Sequence, residues 1–187
     1  MKPFADITCY GLKVVIRMGY LKLVLIMAWL WPGMALQAQT TDPAYAQLLE
    51  KMYRKTVPLL TVSQAAKLQA SNKEVLFLDT RERKEYQVSH IRGAVWVGYQ
   101  DFNLKRVSHI PRSTPLVVYC SVGYRSEKVG ERLLQAGFTN VHNLYGSIFE
   151  WVNQGYPVFK SPAERTTRVH AYSPTWGRWL TQGTKVY

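Results

Sequence analysis

The chain has 187 residues, enough for one domain with extensions and too few for two full domains. A content of 47% hydrophobic and 19% charged residues is that of a globular protein and excludes a disordered one. The formal net charge of +12 suits an anionic substrate, nucleic acid or an anionic membrane surface. No basic stripe is interleaved with stacking aromatics, and zinc-finger and helix-turn-helix spacings are missing, so the charge is read as solubility and no nucleic-acid partner is expected.

Residues Leu23 to Leu36 read LVLIMAWLWPGMAL, an uncharged run preceded by Lys13, Arg17 and Lys22. It is short for a bilayer span, which takes about 20 apolar residues. It ends in Pro32-Gly33 and then the stretch Ala35-Leu36-Gln37-Ala38. A basic segment, an apolar core and a small-residue exit together predict a signal peptide over residues 1–38, cleaved after Ala38. A start at Met18 gives a more ordinary signal length than Met1. The expected location is therefore exported, in a periplasm, with an uncleaved membrane anchor as the alternative. Cleavage leaves 20 basic and 11 acidic residues and one cysteine, Cys120, because Cys9 departs with the leader. No intramolecular disulfide is then available, and a lone thiol in an oxidising compartment is a liability unless it is buried or used.

Asp42-Pro43 is a helix start, with Tyr45, Leu48, Leu49, Met52 and Tyr53 at helical spacing after it. Residues 59–62 predict a short strand, and Ser63 is expected to cap a helix ending at Ala70. The run Val75 to Asp79 reads as a strand buried on both faces. Short helical segments are expected over 81–86 and 103–109, and strands over 94–97 and 115–119. A helix over 126–136 is stopped by Gly137. A last strand covers 141–144, and a last helix carries Ile148, Trp151 and Val152. Strands alternating with helices predict an α/β domain with a mostly parallel sheet. Residues 161–187 have no clean period, yet Trp176, Trp179, Leu180 and Tyr187 are too apolar for a free tail, so this segment is expected to fold back on the domain or meet a partner.

Cys120 ends an apolar strand, and Ser121-Val122-Gly123-Tyr124-Arg125-Ser126 leads from it into a helix. In open α/β sheets ligands bind beyond the carboxyl ends of the strands. A strand-to-helix loop points successive N–H groups inward, and together with the helix N-terminus it favours negative charge. A thiolate held there becomes a good nucleophile. Gly123 lets the backbone curl. Arg125 supplies a fixed cation with planar donors, and Ser126 is expected to cap the helix. The competing reading of Cys120 is a buried, inert cysteine.

These residues resemble the rhodanese-like family. The matching stretches are DTRERKEYQVSHIRGAVWV (79–97), PLVVYCSVGYRS (115–126), LLQAGFTNVHNLYGSIFEWVNQGYPV (133–158) and, more loosely, LTVSQAAKL (60–68). The resemblance implies a small five-stranded parallel sheet flanked by helices on both faces. The domain then spans 59–159, between a helical extension at 39–58 and a basic, aromatic extension at 160–187. It also implies a sulfurtransferase in which Cys120 carries sulfur as a persulfide and residues 121–126 form the active-site loop. Asp79 and Arg81 fall on a common Asp-x-Arg that supports the loop side of the domain, with Arg81 a secondary candidate for touching substrate. His90 and Trp151 are expected to be structural. Ser89 and Ser147 each stand where the family commonly has glycine.

Four residues separate Cys120 from Arg125, against five in the related phosphatases and arsenate reductases, so a phosphatase is disfavoured. The implied reactants are a small sulfur donor, thiosulfate or a persulfide, and a thiol or cyanide acceptor. No metal or organic cofactor is implied, and no stable membrane span remains after cleavage. A binding module that leaves Cys120 idle and a thiol sensor of oxidants are the alternatives.

Overall fold

The computed structural model describes residues 42–71 and 74–187, so the predicted signal peptide and Cys9 lie outside the described residues. Strands β1 (Leu59–Leu60), β2 (Leu76–Asp79), β3 (Val95–Trp96), β4 (Leu116–Tyr119) and β5 (Val141–Leu144) form one parallel sheet in the order β1-β5-β4-β2-β3. Two of the three inner strands, β2 and β4, are continuous apolar runs because both of their faces are covered. On one face Phe77, Val117 and Tyr119 meet helices α1 (Pro43–Met52), α2 (Val62–Ala70) and α5 (Ser147–Asn153) through Tyr45, Leu49, Ala65, Ile148 and Trp151. On the other, Leu78, Leu116 and Val118 meet α4 (Tyr124–Gln135) through Val129 and Leu133. Asp79 is in register with Tyr119, so β2 and β4 end at the same edge, and Cys120 is the next residue. The sheet therefore places Cys120 at the carboxyl edge where ligands bind in this class of fold.

Local chemistry sets the helix ends, in three cases differently from expectation. Asp42 caps α1, its Oδ1 accepting the Ala44 N–H at 2.8 Å. Thr61, not Ser63, caps α2. Its Oγ1 accepts the Gln64 N–H at 3.2 Å while Gln64 Oε1 accepts the Thr61 N–H at 2.9 Å. The helix expected over 81–86 runs instead from Arg83 to Val88 (α3), because Asp79 captures the Arg81 N–H at 2.9 Å and holds that residue in a turn. Helix α4 begins two residues before Ser126, since Gly123, at φ +107°, turns the chain into it. At its other end Phe138 N–H donates to Leu133 O and Gly137 N–H to Leu134 O, the paired bonds of a Schellman close.

Residues beyond the sheet fold back on it. Strands β6 (Val158–Ser161) and β7 (Glu164–Thr166) pair antiparallel, β8 (Arg168–His170) and β9 (Thr184–Val186) pair parallel, and α6 (Pro174–Gly177) lies between the latter two. Val169, Ala171 and Leu180 are buried in the same core as α1 and α5. The Trp179 ring stacks on Tyr45 at 5.4 Å, and Asn153 binds this segment three times, donating to Trp179 O and accepting from Thr181 N–H, both at 2.8 Å, and accepting from Gln182 N–H at 3.2 Å. The segment is thus part of the core. Replacing Leu180 by Ala should cost about 2–5 kcal/mol of stability in urea unfolding, as for other buried leucines. A free tail would show no loss.

Candidate active site

The loop from Cys120 to Tyr124 is fixed from three sides. The start of α5 holds it from one: Ser147 Oγ accepts the Cys120 N–H at 3.0 Å, and the N–H groups of Ile148 and Phe149 donate to Cys120 O and Ser121 O, each at 3.2 Å. Tyr53, just after α1, holds it from another, its hydroxyl donating to Val122 O at 2.6 Å and accepting the Gly146 N–H at 3.0 Å. From β5, Asn143 Nδ2 donates to Gly123 O at 3.0 Å, while its Oδ1 accepts from Ser126 Oγ at 2.7 Å. Gly123 must be glycine twice over. Its φ of +107° disfavours any side chain, and a Cβ there would run into the Tyr53 phenol.

This loop is wound around the sulfur. Gly123 N–H donates to Cys120 Sγ at 3.1 Å. Cys120 is 1% exposed, and burial pushes its thiol up. The charge of Arg125 and the N–H groups of Ser126, Gly123 and Val122 more than offset that and hold it below the usual cysteine range. The N-terminus of the twelve-residue α4 lies beside the same sulfur and adds its positive end.

Arg125 is in turn held by Glu85 of α3. Its Nη1 and Nη2 donate to the two carboxylate oxygens at 2.8 and 2.9 Å. Ser121 Oγ joins the pair, accepting from Arg125 at 3.0 Å and donating to Glu85 at 3.2 Å. Burial pushes the Glu85 carboxyl up, but Arg125 and then Arg81 bring it below the ordinary carboxylate range, so the pair is charged on both sides. Above the loop is a cavity of about 330 Å³. Cys120, Ser121, Val122, Tyr124 and Arg125 form its floor, and Met52, Tyr172 and Trp176 form its walls. Tyr172 sits in the left-handed region at φ +63°, with its N–H donated to His170 Nδ1 at 3.1 Å and its ring 5.2 Å from the Arg125 guanidinium.

Five of the sequence-predicted residues, Cys120, Ser121, Val122, Tyr124 and Arg125, therefore meet at one cavity, and Gly123 shapes the loop beneath it. Two expectations need correction. Ser126 is not a cap; it is buried in the first turn of α4, where its hydroxyl is spent on Asn143. Arg81 does not line the cavity. It is fully buried, with Nη2 donating to Asp79 at 2.6 Å and to Ser89 O at 2.6 Å, so the Asp79–Arg81 pair locks the β2–α3 turn instead. His90 is likewise a packing residue, stacked on Tyr86 at 4.0 Å and bridged to Phe159 through its backbone. Among the described residues no group of three potential metal ligands occurs.

Sequence reasoning missed Glu85, Tyr53, Asn143, Ser147, Tyr172 and Trp176. Glu85 lies 40 residues from its partner Arg125 and reads as an ordinary exposed helical carboxylate. Ser147 offered a signal, being a residue in a usual glycine position; it keeps the left-handed backbone, φ +55°, and its hydroxyl reaches the Cys120 amide.

Comparison with known proteins agrees with this geometry. The family model for the rhodanese-like domain matches residues 61–154. A tRNA uridine(34) hydroxylase of Photorhabdus laumondii is 34% identical over 96 residues, covering 46% of this chain and 27% of the relative. One from an Aster yellows witches'-broom phytoplasma is 36% identical over 84 residues, covering 42% and 27%. The chain thus spans about a quarter of the length of these curated relatives. Among solved structures, the rhodanese-like domain of a protein from Anabaena sp. superposes with a TM-score of 0.52 at 25% identity, over 58% of this chain and 83% of that one. The thiosulfate sulfurtransferase of Pseudomonas aeruginosa superposes with a TM-score of 0.53 at 24% identity, over 73% of this chain and 26% of that one, a likeness of fold.

The rate of Cys120 alkylation against pH should rise at a lower pH than for an ordinary cysteine, because only the thiolate reacts. Arg125→Gln should move that midpoint upward, since it removes the nearest cation while the loop amides stay. The same change leaves Glu85 buried without its partner and should cost about 3–5 kcal/mol in urea unfolding.

Proposed function

The chain belongs to the rhodanese-like domain family, and on that premise we propose that it is a sulfurtransferase that carries sulfane sulfur as a persulfide on Cys120. The observation that carries the proposal is the position of the Cys120 sulfur, buried at the strand end and ringed by the N–H groups of its own loop. Such a cradle favours a negative sulfur, and it has room to favour one placed one bond further out.

The reaction is a double displacement. The Cys120 thiolate attacks the outer sulfur of the donor. With thiosulfate, the bond between the two sulfurs breaks, sulfite leaves with the electron pair, and Cys120 is left as Cys–S–S⁻. The acceptor sulfur then attacks the outer atom, Cys120 leaves as thiolate, and the acceptor becomes the persulfide. No net oxidation occurs, because the sulfane sulfur keeps its oxidation state through both steps. Arg125, pinned by Glu85, keeps a cation beside the sulfur in each of them. Ser121 completes that clamp. No resident metal or organic cofactor enters this chemistry.

The reading extends to location and partners. The basic, apolar and small-residue order of residues 1–38 supports export and work outside the cytoplasm. The partners are a small sulfur donor and a thiol acceptor. Hydroxylation of tRNA, the activity in the names of the curated relatives, is not carried over, because the match covers about a quarter of their length.

Intact mass of the chain after incubation with thiosulfate or a persulfide should show a gain of one sulfur atom. A reductant should remove it, and Cys120→Ser should abolish it. A folded protein with a free thiol that takes up no sulfur from any donor would overturn the carrier in favour of the oxidant sensor or the binding module.

A further inference from the structure

The cavity over Cys120 is far larger than thiosulfate requires, and it is not built for a multiply charged ion. At about 330 Å³ it falls in the range of pockets for organic ligands. Met52, Val122, Tyr124, Tyr172 and Trp176 give it an apolar and aromatic lining. Arg125 is the one cation among the described residues that line it, and that charge is already engaged. Both terminal nitrogens are bonded to the Glu85 carboxylate, one also to Ser121, and the Tyr172 ring lies 5.2 Å from the guanidinium. The loop amides and the helix end can hold one negative charge, the one that develops on sulfur. A second anionic group on the donor would face apolar and aromatic side chains and find no unpaired cation among them. An apolar or aromatic group loses little water and gains contact with the walls.

We propose that the sulfur donors of this site are organic persulfides bearing an apolar or aromatic group, with thiosulfate a poor donor, and that Tyr172 and Trp176 of the C-terminal segment select that group. The proposal rests on the persulfide-carrier reading above and names its substrate class. In the step concerned, the Cys120 thiolate attacks the outer sulfur of R–S–SH. The bond between the donor's two sulfurs breaks, R–S⁻ leaves with the electron pair, and the proton stays on the transferred sulfur, giving Cys–S–SH. The leaving thiolate departs along the aromatic walls, and an acceptor thiol with a similar group enters by the same route.

The test follows sulfur loading of the full chain by intact mass over time, with benzyl hydropersulfide and with thiosulfate at equal concentration. The ratio of the two rates is compared with that of two variants. Tyr172→Asn removes an aromatic wall at an exposed position whose left-handed backbone asparagine tolerates. Glu85→Gln, of the same shape, releases the charge of Arg125 into the cavity. The wild-type chain should load from the benzyl donor about tenfold faster or more. Tyr172→Asn should lower the ratio several-fold, and Glu85→Gln should shift it toward thiosulfate. Thiosulfate loading as fast as benzyl loading, or a ratio that neither variant moves, would overturn the proposal and leave Cys120 a carrier. Loading from neither donor would overturn the carrier reading together with it.

Discussion

One buried ion pair organises the site. Glu85 on α3 and Arg125 at the start of α4 are joined by two short hydrogen bonds, and Ser121 of the Cys120 loop bonds both of them. Taking two charges out of water costs several kcal/mol per ion, and only close, multiply bonded geometry offsets it. The pair contributes little net stability, but it fixes direction. A guanidinium gripped on both terminal nitrogens has one orientation, and that orientation sets the field at the Cys120 sulfur. The Asp79–Arg81 pair does related work one layer below, holding the turn from which α3 departs and so the place of Glu85.

Around that pair the loop is held by groups with no chemistry of their own. Tyr53 and Ser147 each bond the loop and another part of the fold through one hydroxyl, and Asn143 bonds Gly123 O and Ser126 through the two ends of its amide, so the residue after α1, β5 and α5 all define the same few backbone atoms. Ser147 holds a left-handed backbone, at φ +55°, that costs a non-glycine residue of order 1–3 kcal/mol. A preorganised cradle needs such support, because amides that had to turn toward a developing charge would give back much of what they stabilise.

The sheet and the floor of the cavity were legible in the sequence for a physical reason. A parallel strand buried on both faces has to be a continuous apolar run, and 75–79 and 115–119 are such runs. The loop that leaves 115–119 for a helix turns through a left-handed backbone, which calls for glycine, and Gly123 lies three residues beyond the cysteine. The walls and the clamp were hidden because they are long-range pairings between residues of ordinary appearance. Glu85 looks like any solvated helical carboxylate, and Tyr53 like one more apolar position on α1. Arg81 was misjudged for the converse reason. A charged side chain in an active-site family stretch suggests contact with substrate, and nothing local reveals that Asp79 and Ser89 O hold it inside the fold. Helix starts were displaced wherever a side chain or a glycine fixed the backbone ahead of the expected cap, as at Thr61 and Gly123.

The aromatic walls stand more than fifty residues downstream of the cysteine they cover. The reactive sulfur and its amides are made first, and the roof arrives last, carried in by Val169, Ala171 and Leu180 as they enter the core. A partly synthesised or clipped chain thus lacks both the aromatic walls over Cys120 and part of the core that α1 and α5 share. Enclosure of Cys120 is in this protein a property of the finished tertiary structure, since one segment supplies both the aromatic walls of its cavity and part of the core beneath.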